Sequence, residues 1–206
     1  MYKKSNKRKL QAIKTRQMIH QSATRLFAEH GFENVTVEEI AAGAGVSVGA
    51  FYHHFKGKEE IFTIFYKTLD EHYVRYYEDV ICSHDFTLLR ATEKLEKFML
   101  YTIEISASQG ADYLRIFYPY MLRDPELSNS MINMERAIFI IVGEIVDEGE
   151  KKGEFIKGLN STQIACDLVK IARGCLVYWC MNNGREDIRA SSANLFHYYL
   201  KGISVF

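Results

Sequence analysis

Residues 36–55 read TVEEIAAGAGVSVGAFYHHF, and this stretch decides the fold of the N-terminal part of the chain. Thr36 and Glu39 have the spacing of a capping box, in which each side chain accepts a hydrogen bond from the other residue's backbone amide. Gly45 suits a tight turn because glycine adopts positive φ without steric strain. Ser47 can cap a second short helix. The stretch therefore predicts a helix-turn-helix, whose second helix can enter the major groove of DNA.

Apolar residues within the stretch have the spacing that packs two short helices together, namely Ile40, Ala41, Val46 and Phe51. Gly49 leaves the first turn of the second helix without a side chain, so that the backbone can approach DNA closely. We expect His54 to be a packing or capping residue and not a DNA contact.

Outside this stretch, apolar residues recur at helical spacing and strict alternation is absent, which predicts an all-α fold. Residues 1–8 are polar and basic and are expected to form a flexible arm that can follow the DNA backbone or enter a minor groove. Further helices are expected at about 9–30, 58–81, 86–108, 111–122, 126–152, 161–182 and 188–204. The boundary between two functional parts is expected within or just after the helix that begins at Lys58.

The charge is distributed unevenly, although the net charge is zero. Residues 1–60 hold ten Lys or Arg against six Asp or Glu, and the remainder holds 16 against 20. Such asymmetry indicates that the N-terminal end meets a polyanion.

Several classes of protein are disfavoured. No signal peptide or membrane-length apolar run is present, and the four cysteines do not form a C-x-x-C pair, so we expect a cytoplasmic protein with reduced thiols. Neither a four-ligand zinc pattern nor an enzymatic motif occurs, so no metal, no cofactor and no catalytic residue are expected. Cys175 and Cys180 are badly spaced for an intrahelical disulfide. An enzyme, and a helical protein whose helix-turn-helix no longer binds DNA, remain as alternatives.

The same N-terminal residues resemble the tetracycline-repressor-like (TetR) family of bacterial regulators. The resemblance covers about the first 60 residues and is carried by Thr36, Ile40-Ala41, Ala44-Gly45-Val46-Ser47, Gly49, Phe51-Tyr52, His54-Phe55, Gly57 and Lys58. It implies a three-helix DNA-binding domain, residues 1–58, joined to a larger helical ligand-binding and dimerisation domain, residues 59–206. It also implies a transcription regulator that acts as a repressor and that a small effector releases from a palindromic operator.

The resemblance assigns DNA-binding roles residue by residue. Thr36 and Lys58 are expected to hold phosphates, since free amides and the positive helix dipole at a helix start favour an anion. The residues expected to face DNA are Ser47, Val48, Gly49, Ala50, Tyr52 and His53. Val48 and Ala50 offer only apolar contacts, such as to a thymine methyl.

The C-terminal part holds 21 of the 27 aromatic residues and, by the resemblance, a mostly apolar ligand pocket. The candidate ligand-binding residues are Tyr101, Tyr113, Phe117, Tyr120 and Trp179, although aromatic rings in a helical bundle are more often core. Pro119 interrupts the helix beside three of them and frees backbone groups. The pocket composition indicates an apolar or aromatic small molecule that can also carry a positive charge.

The last two helices are expected to form a homodimer with the same helices of a second copy, as in the family. Their apolar stripes are Ile164, Leu168, Ile171 and Cys175, and Leu195, Phe196, Tyr199 and Ile203. A charge at Leu168 or Phe196 is therefore expected to weaken the dimer.

Overall fold

The structure is a computed structural model that describes residues 2–83 and 88–205, with side chains described from residue 10 onward. Over these residues the chain forms ten α-helices and no strand. A π-helical turn, Tyr77–Ile81, continues the fourth helix. The helices are α1 (Tyr2–His30), α2 (Val37–Gly43), α3 (Val48–His54), α4 (Glu60–Tyr76), α5 (Ala91–Ala107), α6 (Ala111–Arg123), α7 (Pro125–Ile132), α8 (Ala137–Lys151), α9 (Ser161–Met181) and α10 (Ile188–Ile203). The all-α class predicted from the sequence is confirmed.

The chain divides into two structural units, Met1–Phe65 and Tyr66–Phe206. Helix α4 contributes to both, because its first residues, Ile61 and Phe62, are buried in the N-terminal unit and its later residues belong to the C-terminal unit. The functional division expected after residue 58 stays a prediction.

In the N-terminal unit, α1 packs against α2 and α3 around an apolar core. The Ser22 hydroxyl of α1 donates to the Ile40 carbonyl of α2 at 3.0 Å. At Gly43 a Cβ atom would lie 2.4 Å from the Ser22 Oγ, so the contact between α1 and α2 requires glycine there. The fully buried side chains of this core include Ile19, Ala23, Phe27, Ile40, Phe51, Ile61 and Phe62. Burying each of the larger side chains contributes about 1.5–3 kcal/mol before conformational entropy is counted.

In the C-terminal unit, α5 and α8 pack against α9, and α10 packs against α5. The core contains Phe98, Phe117 and Phe196, each almost fully buried. A buried ion pair joins α5 to α8, where the Lys94 Nζ lies 2.7 Å from a carboxylate oxygen of Glu148. No helix in the described part of the chain is long and apolar enough to cross a membrane.

Three sequence expectations about the helices are wrong. Pro119 does not interrupt its helix, since α6 continues through it from Ala111 to Arg123. The first helix begins at Tyr2, so residues 2–8 continue α1 and do not form a flexible arm, since they contain no Gly or Pro to stop it. The helix expected at 126–152 is two helices, separated at 133–136. The break contains neither Gly nor Pro, and Arg136 within it makes tertiary contacts with Asp70 of α4 and with Met131 of α7.

Candidate nucleic-acid interface

The start of α2 is fixed by the capping box expected from the sequence. The Glu39 amide donates to the Thr36 hydroxyl oxygen at 3.2 Å, and the Thr36 amide donates to the Glu39 carboxylate at 2.8 Å. The Thr36 hydroxyl also donates to that carboxylate at 2.9 Å. These hydrogen bonds from Thr36 lower the pKa of Glu39. Thr36 is exposed, so a phosphate can reach its hydroxyl, where it would compete with Glu39 for the hydroxyl proton. The expected phosphate contact stays a prediction.

The turn between α2 and α3 is closed by backbone hydrogen bonds. The Val46 amide donates to the Ala41 carbonyl at 2.9 Å, and Gly45 adopts φ +67°. The Ser47 hydroxyl oxygen then accepts the Ala50 amide at 3.1 Å and caps α3. The two short helices and the tight turn therefore form the helix-turn-helix that residues 36–55 predict.

Helix α3 separates its buried residues from its exposed ones. Phe51 is fully buried, and its ring packs 5.5 Å from that of Phe55. On the other side, Tyr52 is 54% exposed, and Gly49 and His53 are exposed. Of the remaining residues that the sequence assigns to DNA, Ser47 is exposed, and Val48 and Ala50 are half-buried. The structure thus leaves the whole predicted set reachable from solvent.

Gly49 has no packing reason to be glycine. A Cβ atom at this position would have one neighbour within 4 Å, the Ser47 Oγ at 3.9 Å, which is ordinary contact. Glycine inside a helix is about 1 kcal/mol less favourable than alanine. The protein interior does not explain this loss, and the expected close approach of the α3 backbone to DNA stays a prediction.

Lys58 lies in the turn before α4, and its ammonium group is occupied. The Nζ donates to the carbonyls of Phe32 and Val35 at 2.8 and 2.9 Å, and to that of Glu33 at 3.3 Å. It also lies 4.6 Å from the centre of the Phe32 ring. A lysine ammonium has three hydrogens to donate, and all three are used here. Lys58 therefore fastens the loop between α1 and α2, and its expected phosphate contact stays a prediction.

His54 is half-buried, in contrast to His53. Burial lowers the pKa of His54 first, and the nearby His53 and Arg16 lower it further. The rings of His53 and His54 lie 5.1 Å apart. This burial accords with the packing role that the sequence suggested for His54.

The family model of "Bacterial regulatory proteins, tetR family" matches residues 19–63, which include the whole helix-turn-helix. The fatty acid metabolism regulator protein of Bacillus subtilis (strain 168) is 26% identical over 184 residues, which are 88% of this chain and 92% of that relative. This chain belongs to the tetR family. It is a DNA-binding transcription regulator, as the resemblance implied.

Two further comparisons differ in how much of this tetR-family regulator they cover. The HTH-type transcriptional repressor AcnR of Corynebacterium efficiens is 46% identical, but over only 50 residues, or 24% of this chain and 27% of the relative. The crystal structure of the transcriptional regulator FadR from Bacillus subtilis in complex with stearoyl-CoA has a TM-score of 0.74 at 26% identity, covering 91% of this chain and 98% of that one. All of these relatives are named as regulators and not as enzymes.

The regulator's candidate ligand-binding residues lie in the C-terminal unit, and most are tightly held. Tyr113 and Phe117 are almost fully buried, with near-parallel rings 6.3 Å apart, and burial raises the pKa of Tyr113. The Tyr120 hydroxyl donates to Asp124 at 3.1 Å, and the Trp179 indole donates to the Glu186 carbonyl at 3.0 Å. Tyr101 is half-buried. Whether any of the five binds a ligand stays a prediction.

Two arginines of the C-terminal unit were missed by sequence reasoning. Arg136 is almost fully buried and forms an ion pair with Asp70, and Arg173 donates to the Met131 carbonyl. A signal was present, since Arg173 is the one charged residue in the stretch 171–180 of α9. Among the described residues, no group of three or more His, Cys, Asp or Glu is placed to hold a metal ion.

The last two helices expose a set of apolar residues that shares only Leu195 with the expected stripes. Leu168 and Phe196 are 0% exposed and belong to the core of their own unit, so neither side chain is available to a dimer interface. The expected effect of a charge there on a dimer stays a prediction. The exposed apolar residues of α9 and α10 are Tyr178, Met181, Leu195 and Tyr198. When a helix is apolar on several faces, its sequence does not indicate which of those faces stays exposed in the monomer.

Proposed function

We propose that this regulator reads its operator through the exposed residues of α3 and represses transcription until a small molecule releases it. The observation that carries the proposal is the exposed surface of Gly49, Tyr52 and His53 on a helix-turn-helix that matches the family model. Tyr52 supplies a hydroxyl donor for a phosphate, and Gly49 allows the backbone to come close. A regulator with this role works where the chromosome is, in the cytoplasm.

A salt titration of binding to duplex DNA tests the DNA-binding role of α3. Affinity should fall steeply as salt rises, because phosphate contacts release counterions. His53→Ala should weaken binding to the operator by about 1–3 kcal/mol if its ring contacts a base edge. His30→Ala, an exposed histidine at the end of α1, is the matched control and should leave the affinity unchanged. Equal effects of the two substitutions would contradict the assignment to α3.

We also propose that the regulator is a homodimer through α9 and α10, and that its operator is palindromic. The support is the exposed apolar set of Tyr178, Met181, Leu195 and Tyr198. Gly174 and Gly202 lie on the same two helices, and a Cβ atom at either would meet nothing within 4 Å, so neither is required by the monomer. Two α3 helices related by a dyad read half-sites about one DNA turn, roughly 34–36 Å, apart.

Sedimentation of the purified regulator tests the dimer. Met181→Glu should shift the protein toward monomer at micromolar concentration, because it places a charge in an apolar interface. Leu122→Glu, which changes an equally exposed leucine at the end of α6, is the control and should leave the dimer intact. An unmodified protein that sediments as a monomer would contradict the proposal.

The effector, we propose, is a largely apolar small molecule of the fatty-acyl class that binds within the C-terminal unit. The support is the structural likeness to the FadR complex with stearoyl-CoA, together with the aromatic core of α5 and α6. Helix α4 links the two functions, since it has buried residues in both units. A ligand that favours the non-binding conformation by about 1–3 kcal/mol weakens operator binding by roughly 5–150-fold, and operator weakens the ligand equally.

This reciprocity is the test of the switch. Oleoyl-CoA is titrated into the regulator with and without operator, and its affinity should be lower in the presence of operator by the same factor by which it weakens DNA binding. Equal affinity in the two titrations would show that the compound is not an effector by this mechanism.

A further inference from the structure

Two guanidinium groups in the C-terminal unit converge on one backbone carbonyl. Arg173 of α9 donates its Nη2 to the Met131 carbonyl in the last turn of α7, and the Arg136 Nη1 lies 3.5 Å from the same oxygen. The Arg136 side chain is only 7% exposed, and Arg173 is half-buried. The two positive charges are therefore held close together in a region from which water is largely excluded.

One carboxylate balances this pair of charges. Asp70 of α4 accepts from the Arg136 Nε and Nη2 at 3.1 and 2.9 Å, a bidentate pair. Among the residues that the structure describes, no other carboxylate lies within 4.0 Å of either guanidinium. The Met131 carbonyl satisfies a hydrogen bond of Arg173 but not its charge. A buried charge without a counterion is costly, so a site of this kind favours an anion.

Two of the groups that face Arg173 are the hydroxyls of Tyr73 of α4 and Tyr118 of α6. Burial raises the pKa of Tyr73 to about 12 and also raises the pKa of Tyr118. Their hydroxyls are thus neutral, and the positive charge of Arg136 on the remaining side adds to that of Arg173.

An aromatic row leads away from the cationic end. The Tyr73 ring packs against Phe98 at 6.1 Å, Phe98 against Tyr76 at 6.5 Å, and Tyr76 stacks on Tyr101 at 3.8 Å with the rings within 5° of parallel. The Tyr73 hydroxyl lies 3.4 Å from the Ser106 hydroxyl and is turned toward α5. The arrangement is amphipathic, with a cationic end at α7, the break at 133–136 and α9, and an apolar side along α4 and α5.

We propose that Arg173, together with Arg136, binds the anionic group of an amphipathic ligand whose apolar chain lies along Tyr73, Phe98 and Tyr76. The ligand is an acyl compound with a carboxylate or a phosphate at the bound end, and not a cation or a neutral hydrocarbon. This inference rests on the proposed fatty-acyl effector and names the charge that the site selects. It replaces the cationic ligand that the aromatic composition alone allowed.

The inference is tested by isothermal calorimetry without DNA, in which the delipidated full-length protein is titrated with oleate, oleyl alcohol or oleoyl-CoA. Oleate and oleyl alcohol share one chain and differ in the charge of the terminal group. Oleate should bind about 10- to 100-fold more tightly than oleyl alcohol, as expected of charge-assisted hydrogen bonds. Oleoyl-CoA distinguishes the sources of the anion, since a carboxylate site prefers free oleate and a phosphate site prefers the ester.

The substitution Arg173→Met should abolish the preference for the anionic probe while it leaves the affinity for oleyl alcohol within about twofold. Arg123→Met, at the exposed end of α6, removes the same charge and should retain the preference. Arg173→Lys, which keeps the charge but not the planar fork, should retain part of it.

Equal binding of oleate and oleyl alcohol by the unmodified protein would overturn the inference. A preference for oleate over oleyl alcohol that persists in Arg173→Met would also overturn it. In either case acyl compounds still bind, and the proposed effector class stands. If none of the three probes binds, both the inference and the effector class fail.

Discussion

Lys58 has two competing roles: the structure shows it bound to a loop, and the family resemblance implies that it contacts a DNA phosphate. Its ammonium group holds three carbonyls of the loop at 32–35, which connects α1 to α2. Lys58→Met keeps most of the stem and removes the charge and the donors. We expect the N-terminal unit to lose stability because three carbonyls lose their partner and the loop that presents the α2 cap is released.

The magnitude follows from the contacts. A hydrogen bond to a charged group is worth about 1.5–3 kcal/mol when buried. The group is half-exposed here and one of the three distances is long, so solvent screening reduces the total to about 2 kcal/mol. Urea unfolding of Lys58→Met and Lys56→Met measures this, since the exposed Lys56 in the same turn loses the same charge. We expect no loss of stability for Lys56→Met.

DNA binding separates the two roles of Lys58. A direct phosphate contact contributes about 0.9 to the slope of log affinity against log salt. Since all three donors of Lys58 are occupied, we expect Lys58→Met to lower the slope by less than ~0.4. This smaller change is what a charge near DNA contributes without a direct phosphate contact. A slope lowered by about 1, with stability equal to that of Lys56→Met, would contradict the loop-fastening role and place the ammonium group on a phosphate.

Three further predictions concern other sites. Gly49→Ala should stabilise the protein by up to about 1 kcal/mol in thermal unfolding and yet weaken operator binding; unchanged binding would remove the argument for close backbone approach. The pKa of Glu39 lies below its ordinary value of 4.5, so the stability that its capping box contributes is complete above that pH and is lost as the pH falls through the lower value. Glu39→Gln should flatten the acid limb of an unfolding curve, and an identical limb would contradict this. Leu168→Asp should unfold the C-terminal unit, as seen by circular dichroism, whereas Met181→Glu should leave it folded.

Local signals made the N-terminal unit readable from the sequence. The capping box of Thr36 and Glu39, the positive φ at Gly45 and the cap at Ser47 involve residues at most three positions apart, so their spacing alone specifies the geometry. The burial of Phe51 on a seven-residue helix follows from the same short-range pattern.

The features that the sequence did not reveal depend on tertiary contacts. Arg136 and Arg173 are 37 positions apart, and only the packing of α7 against neighbouring helices brings both to the Met131 carbonyl. The break at 133–136 has no Gly or Pro to announce it. Leu168 was assigned to an interface because α9 is apolar on more than one side, and periodicity does not say which side the core covers.

A selection of genomic duplex fragments by the purified full-length protein shows directly whether this regulator reads DNA through α3. The enriched fragments should share an inverted repeat with half-sites about one helical turn apart. The same selection with His53→Ala should lose the repeat, and with His30→Ala it should recover it. No enrichment at any salt concentration, or the same enrichment with both variants, would contradict the claim that this regulator reads DNA through α3.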